Sequence, residues 1–234
     1  MQKTRSLFWT TLISTLLLSI NSAKASLDID GTRLIYYEKD KEANISIINR
    51  NPETTLVQVY IDSQHEGAAI PFAVITPLVK LAPHERKTIR ILYEGRGLPE
   101  DRESYFSLNF VEVPIKPGAA DTLQLAIRHE LKFFYRPYFM KNQPLETASA
   151  LIWELAGKHQ INVKNPTKLH KSLIDIKATT KGQPRLLADY LFIAPGATES
   201  IEIPADYKES QIKIDFLEIN DTGFKINYGT DIRQ

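Results

Sequence analysis

The sequence contains no cysteine, which removes disulfides, thiol nucleophiles and thiolate metal sites in one step. Its five histidines, His65, His84, His129, His159 and His170, lie far apart. None has a second histidine or a carboxylate at a spacing that makes a metal site on one strand or helix. There is no Gly-x-Ser-x-Gly elbow. Glu94-Gly95-Arg96-Gly97-Leu98 lacks the third glycine and following helix of a phosphate-binding loop and reads as a turn. An enzyme therefore has no constellation to stand on, and neither a cofactor nor a metal is expected.

A strong excess of either charge is missing too. The chain carries 29 basic and 28 acidic residues, and nothing in that balance points to nucleic acid. Long apolar runs are confined to the start, where Lys3 and Arg5 precede an uncharged stretch from Ser6 to Ile20 and the small-residue site Ala23-Lys24-Ala25. These are the three parts of a secretory signal peptide, residues 1–25. The apolar stretch is shorter than the ~20 residues a membrane helix needs and is interrupted by hydroxyl side chains. A soluble, exported protein without stable membrane insertion is expected. Cleavage after residue 25 leaves 26 basic and 28 acidic residues, a balance of −2. Without disulfides such a chain depends on its cores, and two domains of about a hundred residues fit its length.

What the sequence does contain is short alternating segments between turn residues. Strands are expected at Thr32–Tyr37, Ala43–Asn49, Leu56–Ile61, Lys87–Tyr93, Ser104–Val113 and Leu123–Tyr135. After Pro137 and Pro144 a second series follows, at Ala150–Leu155, Gln160–Val163, Ser172–Ala178, Leu186–Ile193, Ser200–Ile203, Gln211–Ile219 and Phe224–Tyr228. The fold class is all-β, with two immunoglobulin-like β-sandwich domains over residues 26–140 and 141–234. No short sequence repeat relates the two.

Leu98-Pro99-x-Asp101-Arg102-Glu103-Ser104 runs into a strand in which Phe106, Leu108 and Phe110 alternate. This segment is similar to the signature of PapD-like periplasmic pilus chaperones of the chaperone-usher pathway. Further landmarks follow in the same order: Thr32-Arg33-Leu34-Ile35-Tyr36, Ile75-Thr76-Pro77, Arg90-Ile91 and Lys132-Phe133-Phe134-Tyr135-Arg136-Pro137. In the second half come Leu151-x-Trp153, Asn165-Pro166-Thr167, Ile193-Ala194-Pro195 and Asn220-Asp221-x-Gly223. One departure is Lys168-Leu169-His170, which stands where the family has Pro and an aromatic residue.

The resemblance implies two domains set as an L, a periplasmic location, and pilus or fimbrial subunits and an outer-membrane usher as partners. It implies that Leu123, Leu125 and Ile127 plug the open groove of a subunit by donor-strand complementation. Arg33 and Lys132 match the family pair that anchors the subunit's terminal carboxylate. Glu103, Arg136 and Asp221 match a charge cluster at the domain junction. By alternation alone, Leu123, Leu125 and Ile127 read first as residues facing their own core, and the family landmarks around them reverse that reading. Lys132 has the opposite parity, so a twist or bulge is expected between Ile127 and Lys132. An exposed apolar edge strand also invites self-capping by a dimer. The rival reading is an exported structural or adhesive two-domain β-sandwich protein.

Overall fold

Among the described residues of this computed structural model, 26–63, 67, 69–113, 126–157, 159–180, 183–204 and 211–233, strands account for nearly all regular structure. The first nine are β1 (Leu27–Ile29), β2 (Arg33–Tyr37), β3 (Ala43–Asn49), β4 (Thr55–Ser63), β5 (Phe72–Val74), β6 (Leu78–Leu81), β7 (Arg86–Tyr93), β8 (Ser104–Val113) and β9 (Arg128–Arg136). They pair as two sheets, ordered β1-β3-β7-β5 and β2-β9-β8-β4-β6. Period-two alternation turns one face of each sheet inward. Ile45, Ile47, Ile89 and Ile91 of the first sheet meet Val57, Val59, Leu108, Phe110 and Phe133 of the second in a single buried core.

Short 3-10 turns at Tyr138–Asn142 and Ala148–Ala150 lead to the second set of strands. These are β10 (Ile152–Leu155), β11 (Gln160–Lys164), β12 (Lys171–Thr180), β13 (Gln183–Ile193), β14 (Thr198–Glu202), β15 (Gln211–Ile219) and β16 (Lys225–Arg233). Their sheets, β10-β11-β14 and β13-β12-β15-β16, enclose a separate core that includes Ile161, Val163, Leu173, Ile176, Ile193 and Ile214. The chain is thus two β-sandwiches, each closed over its own apolar centre.

A structural repeat exists where the sequence shows none. Asn49 at the end of β3 and Asn165 just after β11 are both fully buried. The Asn49 amide donates to the carbonyls of Glu53, Leu81 and Ala82, and its oxygen accepts from the Asn51 backbone and the Thr55 hydroxyl. The Asn165 amide donates to the carbonyls of Leu169, Ile193 and Ala194, and its oxygen accepts from the backbone and hydroxyl of Thr167. Each asparagine ties loop backbone that would otherwise be buried without partners.

The strands β1, β5 and β6 are not among those expected from the sequence. With three or four residues each, they hold too few positions for alternation to register. Where a strand from Leu123 to Tyr135 is expected, the described strand is β9, from Arg128 to Arg136. Leu123 and Leu125 lie outside the described residues. No helix among the described residues is long and apolar enough to cross a membrane.

Candidate functional site

The edge of the five-stranded sheet is built by a strand that changes sheets. β1 pairs with β3, whereas β2 pairs with β9. The chain crosses between them at Gly31, whose φ of +111° is one that L side chains rarely adopt. The crossing places Arg33 at the head of β2. There β2 runs parallel to β9, from Arg33 opposite Lys132 to Tyr37 opposite Arg136. On its other side β9 is antiparallel to β8 along its length, from Ser104–Tyr135 to Val111–Arg128. Among the described residues, then, Arg128 to Leu131 pair with β8 alone. The open edge begins where the Arg33–Lys132 pair ends.

The two cations are held by different means. The Arg33 guanidinium donates to the Ile219 carbonyl at 3.0 Å and lies 5.9 Å from the centre of the Phe134 ring. Its Nε is buried without a hydrogen-bond partner. The Lys132 ammonium lies 5.1 Å from the centre of the Tyr190 ring and 4.9 Å from that of Phe192. Burial lowers the pKa of Lys132, and the charge of Arg33 lowers it further. Burial also lowers Arg33, with Asp221 and Glu103 opposing the shift. Both groups are therefore cations that the protein leaves poorly neutralised.

Beside them lies a charge cluster that is fully paired. Glu103 directly precedes β8 and Arg136 ends β9, so the β8–β9 ladder sets them opposite one another. The Arg136 Nε donates to Glu103 at 2.6 Å. Its two terminal nitrogens donate to Asp221 at 2.6 and 2.8 Å, a bidentate pair across the domain junction. Asp221 is presented by a tight loop in which Asn220 Oδ1 accepts from the backbone of Thr222 and Phe224. Gly223 in that loop has φ of +83°, and a Cβ there would stand 2.9 Å from the Thr32 hydroxyl of the first domain. Arg136 and Glu103 are 2% and 3% exposed. Burial alone would lower the pKa of Arg136, but hydrogen bonds to Asp221 and Glu103 outweigh it and the net shift is upward. Burial would likewise raise Asp221, yet Arg136 holds its carboxyl below the usual range.

The remaining oxygen of Glu103 meets His170, whose backbone N–H donates at 2.8 Å and whose ring Nδ1 lies at 2.9 Å. That ring stacks on Phe192 at 5.2 Å, in an aromatic cluster with Tyr105 and Phe134. His170, Tyr190, Phe192 and Ile219 are site neighbours that the sequence reading missed. The change at Lys168-Leu169-His170 was the visible signal for the first. The alternation of Tyr190 with Phe192 on one strand was the signal for the next two.

Ile127 is 47% exposed, and its carbonyl accepts from the Glu112 backbone, continuing the β8 ladder. The pairing of β9 with β8 contains no bulge. This corrects the expected change of parity. Ile127 stays on the face of Leu131 and Phe133, which are buried in the domain's own core, and Lys132 stays on the cleft face with Phe134.

Residues 26–141 match the N-terminal domain, and residues 146–230 the C-terminal domain, of the pili assembly chaperone PapD. The chain is 34% identical over 220 residues to the probable fimbrial chaperone YadV of Escherichia coli K12, covering 87% of this chain and 88% of that one. It is 31% identical over 214 residues to the chaperone protein FimB/FhaD of Bordetella pertussis, covering 86% of each. Among solved structures it superposes on the YadV chaperone with a TM-score of 0.77 at 32% identity, covering 88% of this chain and all of that one. With a chain of the Salmonella enterica complex of SafA pilin and SafB chaperone the TM-score is 0.73 at 26% identity, covering 91% and 98%. The chain belongs to the PapD family of pili assembly chaperones.

Proposed function

We propose that this chaperone binds a pilus subunit along the open edge of β9, with Arg33 and Lys132 gripping the subunit's terminal carboxylate. The observation that carries this reading is the place where β2 starts. A strand added to β9 beside Arg128–Leu131 lies in line with β2 and abuts Arg33. If its chain end points that way, its carboxylate meets the Arg33 and Lys132 cations, and charge-assisted hydrogen bonds fix its register. Leu123, Leu125 and Ile127 then fill the groove of a subunit that lacks its final strand. An added strand supplies both ladder hydrogen bonds and apolar burial. Each buried Leu or Ile contributes roughly 1.5–3 kcal/mol before association costs.

The parity of Ile127 suits this role. A row that continues the chaperone's own core face extends that core into the subunit's, while Lys132 works from the cleft face of the same strand. Glu103, Arg136 and Asp221 brace the two domains, residues 26–140 and 141–234, around the anchor. The signal peptide, residues 1–25, exports the chain to the periplasm, and the loaded subunit passes to an outer-membrane usher. Until a subunit arrives, the same edge invites a second copy of the chain.

The test is rescue. The protein is expressed in the periplasm with a pilus subunit that is degraded when alone, and the recovered subunit is measured. Wild type is expected to protect it, and the Arg33→Ala, Lys132→Ala double variant is expected to fail while remaining folded. Recovery at wild-type yield with both substitutions present overturns the anchor.

A further inference from the structure

The first domain supplies Lys132, but the aromatic rings that face its ammonium come from the second. β13 carries Tyr190 and Phe192 two residues apart, opposite Ile174 and Ser172 of β12. Both ring centres lie within about 6 Å of the ammonium, the range in which a ring face attracts a cation. We infer that Tyr190 and Phe192 are positioning residues for Lys132, holding its ammonium in the cleft while leaving its N–H donors free for a partner's carboxylate. This rests on the reading of Lys132 as an anchor.

A lysine side chain is long and flexible, and an anchor that sets register has to be held in place. A neighbouring carboxylate would hold it but would compete with the incoming one. A ring face attracts the charge through its quadrupole and occupies no hydrogen-bond donor. The contrast with Arg136 is direct: all three nitrogens of that guanidinium already bond to the carboxylates of Glu103 and Asp221. Around Lys132 the charged and titratable neighbours are Arg33, which repels it, Glu130 two residues earlier on its own strand, and Tyr105 of β8.

The Phe192 ring is itself fixed. Phe192 is stacked on His170 with planes 12° apart and meets Tyr105 edge-on at 4.7 Å. His170 in turn contacts Glu103, the carboxylate that pairs with Arg136. The domain brace and the anchor are therefore connected through one stacked pair, and the orientation of the second domain reaches Lys132 through Phe192.

The test uses the mature protein and a labelled synthetic peptide of about twelve alternating valine and threonine residues, matching the proposed edge strand, with a free C-terminal carboxylate. Its C-terminal amide is the control, and affinities are read by fluorescence anisotropy. Wild type is expected to prefer the acid. Tyr190→Leu and Phe192→Leu are each expected to weaken acid binding about five- to tenfold with little change for the amide. Tyr190→Phe and Phe192→Tyr, which keep a ring, are expected to retain it. In a Lys132→Ala background the leucine substitutions are expected to cost nothing further, because their effect passes through the lysine. An equal loss with and without Lys132 overturns the inference and makes the rings structural or direct contacts, as does no loss at all. Equal affinity for acid and amide in wild type instead overturns the anchor reading beneath it. Should Phe192→Leu unfold the protein, Tyr190→Leu decides, since Tyr190 is 48% exposed.

Discussion

Arg33 and Lys132 stand opposite one another in the register of a parallel strand pair, two like charges side by side where β2 begins, at the border of the open edge of β9. Juxtaposed cations in a half-buried setting oppose folding. Here the direct contacts that moderate the cost are the Ile219 carbonyl, the Phe134 ring and the Tyr190 and Phe192 rings, none of which is an anion, while the charges of Asp221 and Glu103 act on Arg33 without an ion pair to it. An arrangement that spends stability on unneutralised charge is what an anion-binding site requires.

Removing either charge therefore separates function from folding. Arg33→Ala and Lys132→Ala are each expected to lower subunit affinity by about ten- to a hundredfold, the worth of a hydrogen bond to a charged group. Thermal unfolding is expected to be unchanged or slightly improved. The measurement is co-purification of subunit from the periplasm alongside circular dichroism of the free chaperone. A collapse of the melting transition would make these residues structural.

The lowered pKa of Lys132 predicts a pH profile. With a folded pKa below its unfolded value, the unfolded chain holds more protons between the two, so in that window stability rises with pH. A bound carboxylate favours the charged form and moves the pKa back up. Affinity is accordingly flat below the free protein's Lys132 pKa and falls as pH climbs through it, by up to about tenfold per unit. Burial raises Tyr190, which keeps its phenol neutral longer on the alkaline side. Lys132→Arg, whose charge persists throughout, is expected to flatten the profile measured between pH 7 and pH 10.

How much of this was legible depends on the range of the interaction. Alternation marked β3 and β7 because each has one face buried over seven or more residues; β8 is buried on both faces at its centre, yet its apolar residues Phe106, Leu108 and Phe110 still alternate with polar ones. It could not show that β2 joins β9 in parallel and covers only its second half, since that pairing joins residues about a hundred positions apart. Nothing local distinguishes the buried guanidinium of Arg136 from a surface arginine; the resemblance alone singled it out. The two roles need no change of parity between Ile127 and Lys132, because an edge strand offers two faces and the unbroken β8–β9 register puts one residue on each.

The brace is expected to behave as a buried ion network. Arg136→Ala leaves Glu103, 3% exposed, without its main partner and is expected to cost about 3–5 kcal/mol. Asp221→Asn, at a site whose carboxyl is partly exposed, is expected to cost less. Because Arg136 depresses the Asp221 pKa, that contribution is complete above the ordinary carboxylate range of about 4 and is lost as pH falls through the lower folded value. Urea unfolding at pH 7 and at pH 3 measures both effects.

The paired asparagines predict domain-specific damage. Asn165→Ala strands the carbonyls of Leu169, Ile193 and Ala194 and is expected to destabilise the second domain by about 2–4 kcal/mol. Asn49→Ala is expected to do the same to the first. Trp153 packs against the second core and is the one tryptophan beyond the first 25 residues, so after removal of that segment its fluorescence reports the second domain alone. Its transition is expected to shift to lower urea in Asn165→Ala, and far less in Asn49→Ala.

The strongest test of subunit capture lies along one face of one strand. Ile127 and Leu131 share parity on the chain entering and forming β9, yet Ile127 is 47% exposed and Leu131 7%. Between them the apolar row passes from open surface into the chaperone's own core. Ile127→Glu is expected to leave the melting temperature nearly unchanged and to lower subunit affinity by about ten- to a hundredfold, since a charge would enter the subunit's groove. Leu131→Glu is expected to unfold the first domain, or to cost it several kcal/mol, because the charge is buried among Leu108 and Phe110 and their neighbours. Leu125→Glu extends the series outward and is expected to follow Ile127. If Ile127→Glu instead destabilised the free protein as severely as Leu131→Glu, Ile127 would belong to the chaperone's own core and the apolar row would not be offered to a partner. Calorimetry of the free variants, set beside subunit yield from the periplasm, separates these outcomes.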